Sequence, residues 1–101
     1  MGWPVVLTPQ CQDDLREIVS FIARDSPDHA RRFGHLLVDT AISLGEQPER
    51  GRMVPEQDDL AVREILRGAY RIIYEVVREP DVVFVLRFWH GARGRPEIPK
   101  V

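Results

Sequence analysis

The sequence has few of the features that mark secreted, membrane-bound or disulfide-linked proteins. Its 101 residues contain a single cysteine, Cys11, so neither an internal disulfide nor a thiolate metal cluster can form. No apolar run approaches the roughly 20 residues that a membrane-spanning helix requires. The first residues lack the basic and apolar regions of a signal peptide. We therefore expect a cytoplasmic protein without a membrane partner.

Sites for metal ions and cofactors are also missing from the sequence. His29 and His35 are six positions apart on a predicted helix, where their side chains face different directions, and His90 is remote from both. The stretch Gly51-Arg52-Met53 is too short for a phosphate-binding loop. The sequence therefore predicts no metal and no cofactor.

Lysine is nearly absent, and the charge is unevenly distributed along the chain. Thirteen of the fourteen basic residues are arginine. Residues 1–59 have a net charge of −5 and residues 60–101 a net charge of +3. Because arginine binds carboxylates and phosphates in a bidentate manner, the basic half favours an anionic partner, either a nucleic acid or an acidic protein segment. A solvated arginine-rich surface is the alternative.

The first half of the chain is typical of a short strand followed by two amphipathic helices. Residues 3–7 are apolar and β-prone. Thr8-Pro9 and Ser26-Pro27 each predict a helix start, since the hydroxyl can cap free N–H groups and proline suits the first turn. Apolar residues then recur at helical spacing: Leu15, Ile18, Val19 and Ile22, then Ala30, Phe33, Leu37, Ala41 and Leu44. The two helices, over residues 9–25 and from 27 to about 44, should form an antiparallel hairpin.

After a polar loop over residues 47–59, the apolar period changes from that of a helix to that of a strand. The pattern predicts three strands, over residues 62–66, 70–77 and 82–89, joined by turns that suit only antiparallel neighbours. The expected fold is α+β, a β-α-α-β-β-β chain with a helical hairpin packed on a largely antiparallel four-stranded sheet. Residues 1–93 would form the single domain, and residues 94–101 a tail with little to bury.

The last two predicted strands are apolar on both faces, although two helices can cover only one face of the sheet. Tyr70, Ile72, Tyr74 and Val76 alternate with Ile73 and Val77, and Phe84, Leu86 and Phe88 alternate with Val83, Val85 and Trp89. An uncovered apolar face usually marks an interaction surface, so we expect a protein partner there. The alternative is that the tail or a second copy of the chain covers this face.

Four arginines on or just beyond these strands interrupt the apolar pattern: Arg63, Arg71, Arg87 and Arg93. In a phosphate-binding or RNA-cleaving surface, arginine would stabilise the charge of phosphoryl transfer and His90 would move a proton. The competing interpretation is purely structural. Cross-strand ion pairs with Glu64, Glu75 or Asp81 would explain the arginines, and a histidine at a strand end is more often hydrogen-bonded to the backbone.

Several segments together resemble toxins of the RelE/ParE superfamily. In the second half they are Val62-Arg63-Glu64-Ile65, Tyr70-Arg71-Ile72-Ile73-Tyr74-Glu75-Val76 and His90-Gly91-Ala92-Arg93. In the first half they are the Trp-Pro-Val strand, Asp14-Leu15 and Ile18, Ala30 and Phe33, Pro48 and Gly51-Arg52. The resemblance covers residues 3–93. It implies a type II toxin with a compact β-α-α-β-β-β fold and a cognate antitoxin that wraps and neutralises it.

The resemblance leaves two activities open. ParE-like members inhibit DNA gyrase, whereas RelE-like members cut mRNA on the ribosome through basic residues with a histidine, tyrosine or glutamate. The long helices, the Gly-Arg-x-Val-Pro-Glu stretch at residues 51–56 and the His-Gly-x-Arg ending resemble the ParE branch. A net charge of −2 also fits poorly with binding ribosomal RNA. We therefore expect a gyrase inhibitor. The alternatives are a ribosome-dependent endoribonuclease and a non-toxic interaction module.

Two sets of candidate site residues follow, the first from the resemblance and the second from the apolar sheet face and its arginines. If the chain is RelE-like, the catalytic candidates are Arg63, Arg71 and His90. The candidates for binding the antitoxin or the target are Arg71, Tyr74, Phe84, Arg87, Trp89 and Arg93, whose aromatic and cationic groups suit an acidic amphipathic segment. The assembly could be a homodimer or a toxin–antitoxin hetero-oligomer.

Overall fold

The computed structural model describes residues 2–99 and places two helices on one face of a five-stranded sheet. The elements in chain order are β1 Val5–Leu7, α1 Pro9–Ala23, α2 Pro27–Ser43, β2 Arg52–Met53, β3 Val62–Arg67, β4 Tyr70–Val77, β5 Val82–His90 and a 3-10 helix Gly91–Arg93. The strand order is β1-β5-β4-β3-β2, in which β1 alone pairs parallel to its neighbour. The predicted α+β fold is confirmed. No helix in the described chain is long and apolar enough to cross a membrane.

The helical hairpin begins at the two predicted caps. The Thr8 hydroxyl accepts from the Cys11 N–H at 3.4 Å, and the Ser26 hydroxyl accepts from the His29 N–H at 3.2 Å. Thr8 also donates to the Val85 carbonyl at 2.7 Å, which ties the start of α1 to β5. The helices bury Cys11, Ile18, Leu37, Ala41 and Leu44 against the sheet.

The strand β2 was not predicted. It contains only Arg52 and Met53, which pair with Glu64 and Arg63 of β3. A two-residue strand is too short to show an apolar period. Its presence turns the predicted four-stranded sheet into a five-stranded one and holds the loop after α2 against the sheet edge.

A bulge in β5 changes the faces that its last residues occupy. The pairing with β4 skips Leu86, which lies between Val85 and Arg87. Phe88 therefore packs under the helices, and Trp89 lies with Leu86 on the opposite face. The predictions that Phe88 shares a face with Leu86 and that Trp89 shares one with Val85 are wrong, because strict alternation assumes an unbroken ladder.

The sheet face opposite the helices is partly covered by the chain itself. A second apolar cluster lies there, formed by Val54, Val62, Ile73, Leu86 and Trp89, with Phe84 and Ile98 packed against it. Within the predicted tail, Pro96 is buried and Ile98 packs against the cluster, whereas Gly94, Arg95 and Glu97 are exposed. Residues 100 and 101 lie outside the described residues.

Cys11 provides a test of the helix-side core. Its side chain is fully buried, and burial raises the pKa of its thiol to about 11. Since the thiolate is the nucleophile, we expect the native protein to resist iodoacetamide at mildly alkaline pH and to react only after unfolding in urea. Mass spectrometry of the time course measures this. Equal alkylation rates in the native and unfolded protein would contradict the burial of Cys11.

Candidate functional site

Arg71 lies in a network of carboxylates on the sheet face opposite the helices. Its Nη1 and Nη2 donate to the two carboxylate oxygens of Glu56 at 3.0 and 2.6 Å, and its Nε donates to Glu64 Oε1 at 2.5 Å. Glu64 is completely buried and also accepts from Arg52 Nε at 2.7 Å. Two arginines and two glutamates thus neutralise one another. A phosphate could reach Arg71 only by displacing a carboxylate.

The ionisation of this network follows from its hydrogen bonds. The Arg71 guanidinium lowers the pKa of Glu56 by donating to its carboxylate, and the same bond raises the pKa of Arg71. A carboxyl group whose pKa is lowered in the folded state stabilises the fold above its ordinary titration range. That contribution is lost as the pH falls through the lowered pKa of Glu56.

A second ion pair joins β5 to α1. Arg87 Nε donates to Asp14 Oδ2 at 2.7 Å and Nη2 donates to Asp14 Oδ1 at 2.8 Å; their side chains are 9% and 4% exposed. The backbone N–H of Phe88 also donates to Asp14 Oδ2 at 3.1 Å. Asp14 was not among the predicted site residues, although its spacing from Cys11 and Ile18 places it on the buried stripe of α1.

Trp89 contacts two guanidinium groups. Arg87 Cζ is 4.7 Å and Arg93 Cζ is 4.0 Å from the centroid of its ring. The indole N–H donates to the Gly94 carbonyl at 3.0 Å, and Arg87 Nη1 donates to the Glu97 carbonyl at 2.7 Å. These bonds hold the C-terminal segment on the sheet and leave Trp89 only 6% exposed.

The three catalytic candidates are not gathered at one point. Arg71 pairs with Trp89 and shares its face, whereas Arg63 and His90 pair with Tyr74 and Tyr70, which face the helices. Tyr70 and Tyr74 are four residues apart on β4, so the positions of His90 and Arg63 beside them are about 13 Å apart at the usual rise of a strand. No single phosphate can therefore contact all three side chains.

Arg63 and His90 have structural partners of their own. Arg63 Nη1 donates to the Gly51 carbonyl at 2.8 Å. His90 Nδ1 accepts from the Ala92 N–H at 3.0 Å, which caps the 3-10 helix, and its ring stands edge-on to Tyr70 at 5.0 Å between centroids. Both interactions agree with the structural interpretation of these two side chains.

Tyr74 offers no surface to a partner, because it is fully buried on the helix side. Burial raises the pKa of its hydroxyl, which accepts from the Gly51 N–H at 2.8 Å. A Cβ at Gly51 would lie 2.5 Å from the Glu64 carbonyl oxygen and 2.6 Å from the Tyr74 hydroxyl, so only glycine fits there. Phe84 is half-buried on the opposite face. Of the six binding candidates, Arg93 is exposed, whereas the other five are buried or half-buried.

Two depressions lie beside Arg93. The first, the apolar cavity, has a volume of about 290 Å³ and is lined by Asp14, Glu17, Ile18, Phe21, Tyr70, Phe88, His90 and Arg93. The second, the arginine cleft, has a volume of about 370 Å³ and is lined by Gln10, Arg87, Trp89, Arg93, Arg95 and Glu97. Phe21 and Arg95 were not among the predicted site residues. Phe21 could have been found as an aromatic residue outside the buried stripe of α1, whereas no sequence pattern distinguishes Arg95.

No group of three histidine, cysteine, aspartate or glutamate side chains within residues 2–99 is arranged to hold a metal ion.

Comparisons with known proteins agree with the fold and cover nearly the whole chain. The model of the family described as the ParE toxin of the type II toxin–antitoxin system parDE matches residues 5–94. No curated protein sequence matches significantly. Among solved structures, the chain is similar to the toxin–antitoxin complex RelBE2 from Mycobacterium tuberculosis, with a TM-score of 0.67 and 25% identity over 89% of this chain and 99% of that one.

Two further structures share the fold. The chromosomal ParDE system from P. aeruginosa gives a TM-score of 0.70 and 17% identity, covering 88% of this chain and 96% of that one. A mutant of the E. coli toxin RelE in the free state gives 0.63 and 20%, covering 93% of this chain and 88% of that one. At these identities the likeness concerns the fold alone.

Proposed function

The chain belongs to the ParE toxin family of type II toxin–antitoxin systems, and we propose that it inhibits DNA gyrase and is neutralised by a cognate antitoxin. The observation that carries the proposal is that two arginines of the chain already bind carboxylates of the same chain. Arg71, a catalytic candidate for a ribonuclease, and Arg87, which a phosphate-binding surface could also use, are each bound to carboxylates of the same chain. A toxin whose target is a protein does not require free phosphate-binding groups at these positions.

The dispersion of the catalytic candidates also favours a gyrase inhibitor over a nuclease. A general acid or base must reach the same substrate as the groups that stabilise its charge. Arg71 lies on one sheet face, and Arg63 and His90 lie on the other. Similarity to RelBE2 at 25% identity keeps a RelE-like ribosome-dependent mRNA endoribonuclease as the second candidate.

The proposed partner is an antitoxin protein, because two of the similar structures belong to toxin–antitoxin systems. We place the toxin in the cytoplasm, where gyrase acts. Residues 1–93 form its folded domain in this proposal, and the segment that follows contributes to the covered sheet face.

The activity is tested with purified toxin in two assays. We expect it to abolish most gyrase supercoiling at a modest molar excess and to leave a defined message intact on translating ribosomes. His90→Ala and the exposed control His35→Ala should inhibit gyrase equally, since no proton transfer is involved. Message cleavage that is lost in His90→Ala and retained in His35→Ala would select the nuclease instead.

A non-toxic interaction module is separated from both toxins by growth. Expression of the toxin without its antitoxin should arrest growth, and co-expression of the adjacent reading frame should restore it. Harmless expression, together with sedimentation of the isolated chain as a stable dimer, would contradict the proposal and support a homodimeric module.

A further inference from the structure

Arg93 lies at the boundary between the apolar cavity and the arginine cleft, since its side chain lines both. It is the last residue of the 3-10 helix that follows β5 directly, and His90 caps that helix. The backbone that carries Arg93 is therefore held against the end of the sheet. A short segment of another protein that crosses Arg93 would contact both depressions.

The arginine cleft contains more positive charge than the chain neutralises. Arg87 is paired with Asp14, but within residues 2–99 neither Arg93 nor Arg95 has a carboxylate within 4.0 Å. Arg95 donates to the Glu56 carbonyl at 3.1 Å. Arg93 and Arg95 both line the arginine cleft, so a carboxylate that entered the cleft would receive charge-assisted hydrogen bonds from their guanidinium groups.

The apolar cavity has the lining expected for a single large apolar side chain. Its walls include Ile18, Tyr70 and Phe88. Phe21 stands at the same cavity and is 65% exposed, although the rest of α1 is amphipathic. An exposed aromatic residue beside an apolar depression is typical of the central anchor of a protein interface.

A nucleic acid fits this surface less well than a protein segment does. Trp89 is covered by two guanidinium groups and is 6% exposed, so no base can stack on its ring. Glu17 lines the apolar cavity and would repel a chain that carries a phosphate on every nucleotide, whereas a protein segment can present an uncharged apolar residue there. Binding of nucleic acid depends on many phosphate contacts, whereas the site offers two arginines without a carboxylate partner.

We propose that the antitoxin docks at Arg93 through a short acidic and apolar segment. One apolar side chain enters the apolar cavity beside Phe21, and a nearby carboxylate enters the arginine cleft between Arg93 and Arg95. This inference rests on the proposed function, since it assigns the toxin surface that the antitoxin occupies. It moves the main contact from the sheet face, which the chain itself partly covers, to the end of β5 beside α1.

The test measures binding of the product of the adjacent reading frame to the full toxin chain. Arg93→Gln and Phe21→Ala should each raise the dissociation constant by about tenfold or more, which corresponds to a loss of 1.4 kcal/mol of binding free energy. Arg93→Gln should also reduce the dependence of binding on salt, whereas Phe21→Ala should leave that dependence unchanged. The matched controls are Arg31→Gln on α2 and Leu60→Ala in the loop before β3, both exposed and remote from Arg93 in the chain.

The possible outcomes distinguish failure of the docking site from failure of the proposed toxin function. If the neighbouring product neither binds the wild-type toxin nor restores growth, the proposed function fails. If it does both and binds Arg93→Gln and Phe21→Ala as tightly as the controls, the docking site is overturned and the proposed function stands. Unchanged antitoxin affinity together with loss of single-stranded DNA binding in Arg93→Gln would reassign the cleft to nucleic acid. As a control, thermal melts test whether these surface variants remain folded.

Discussion

Replacing Asp14 by asparagine should lower the free energy of unfolding by about 3 kcal/mol, because Arg87 would remain buried without its counter-charge. The carboxylate of Asp14 accepts two bonds from Arg87 and one from the Phe88 N–H. Asparagine keeps nearly the same volume, but it removes the negative charge and turns one accepting oxygen into a donor. The loss therefore measures the ion pair rather than a cavity.

Urea unfolding followed by circular dichroism measures this effect, and Asp13→Asn is the matched control. Asp13 is the preceding residue of the same helix and forms an exposed pair with Arg16 at 3.0 Å. Its replacement should change stability by less than about 0.5 kcal/mol. The double variant Asp14→Asn/Arg87→Met should recover part of the loss, since it removes the uncompensated charge. Equal midpoints for Asp13→Asn and Asp14→Asn would contradict the role of the buried pair.

The elements that could be predicted from the sequence are those whose signals are local. Thr8-Pro9 and Ser26-Pro27 begin the two helices at the predicted residues because the cap and its N–H partner are three positions apart. The strands β3 and β4 follow equally local alternation. The bulge at Leu86 could not be predicted in this way, because it depends on how β5 pairs with β4 rather than on its own residue types.

The same distinction applies to the candidate site. The pairing of Arg71 with Glu64 was one of the structural alternatives, and it is confirmed because the two residues lie on adjacent strands. Glu56 comes from a loop without periodicity, and Asp14 is 73 positions from Arg87. Neither partner could be assigned to its arginine by spacing. Cationic residues were therefore easier to predict than the carboxylates that neutralise them.

The covered sheet face has a similar explanation. Two apolar faces on β4 and β5 predicted a protein partner on the second face, with the tail as one alternative, and the structure shows that the chain itself covers part of this face. The identity of the cover depends on Val54 and Ile98, single apolar residues in segments without helical or strand spacing. The burial of a single apolar residue of this kind can be predicted only when the distant cluster that it contacts is known.

Replacing Glu64 by glutamine should also cost about 3 kcal/mol of stability, because Glu64 is completely buried and receives hydrogen bonds from two arginines. Arg71 is 11% exposed and would retain only Glu56, whereas Arg52, at 65%, can turn to solvent. Most of the loss should therefore come from Arg71. The strand β2 should also loosen, since its Arg52 is held by Glu64.

Glu75→Gln is the matched control, because Glu75 lies on the adjacent strand β4 but has no cation within 4.0 Å among residues 2–99. Burial, with a contribution from Asp59, raises the pKa of its carboxyl group. A raised carboxyl pKa means that the ionised side chain opposes folding once the pH exceeds its ordinary range. Glu75→Gln should therefore leave stability at neutral pH unchanged or raise it, while Glu64→Gln lowers it.

The comparison is made by urea unfolding of both variants and the wild type at neutral pH. Equal effects at neutral pH would mean that Arg71 does not depend on Glu64. Glu56 would then be the carboxylate that holds Arg71, and an anion of another molecule would have to displace Glu56 alone to reach it.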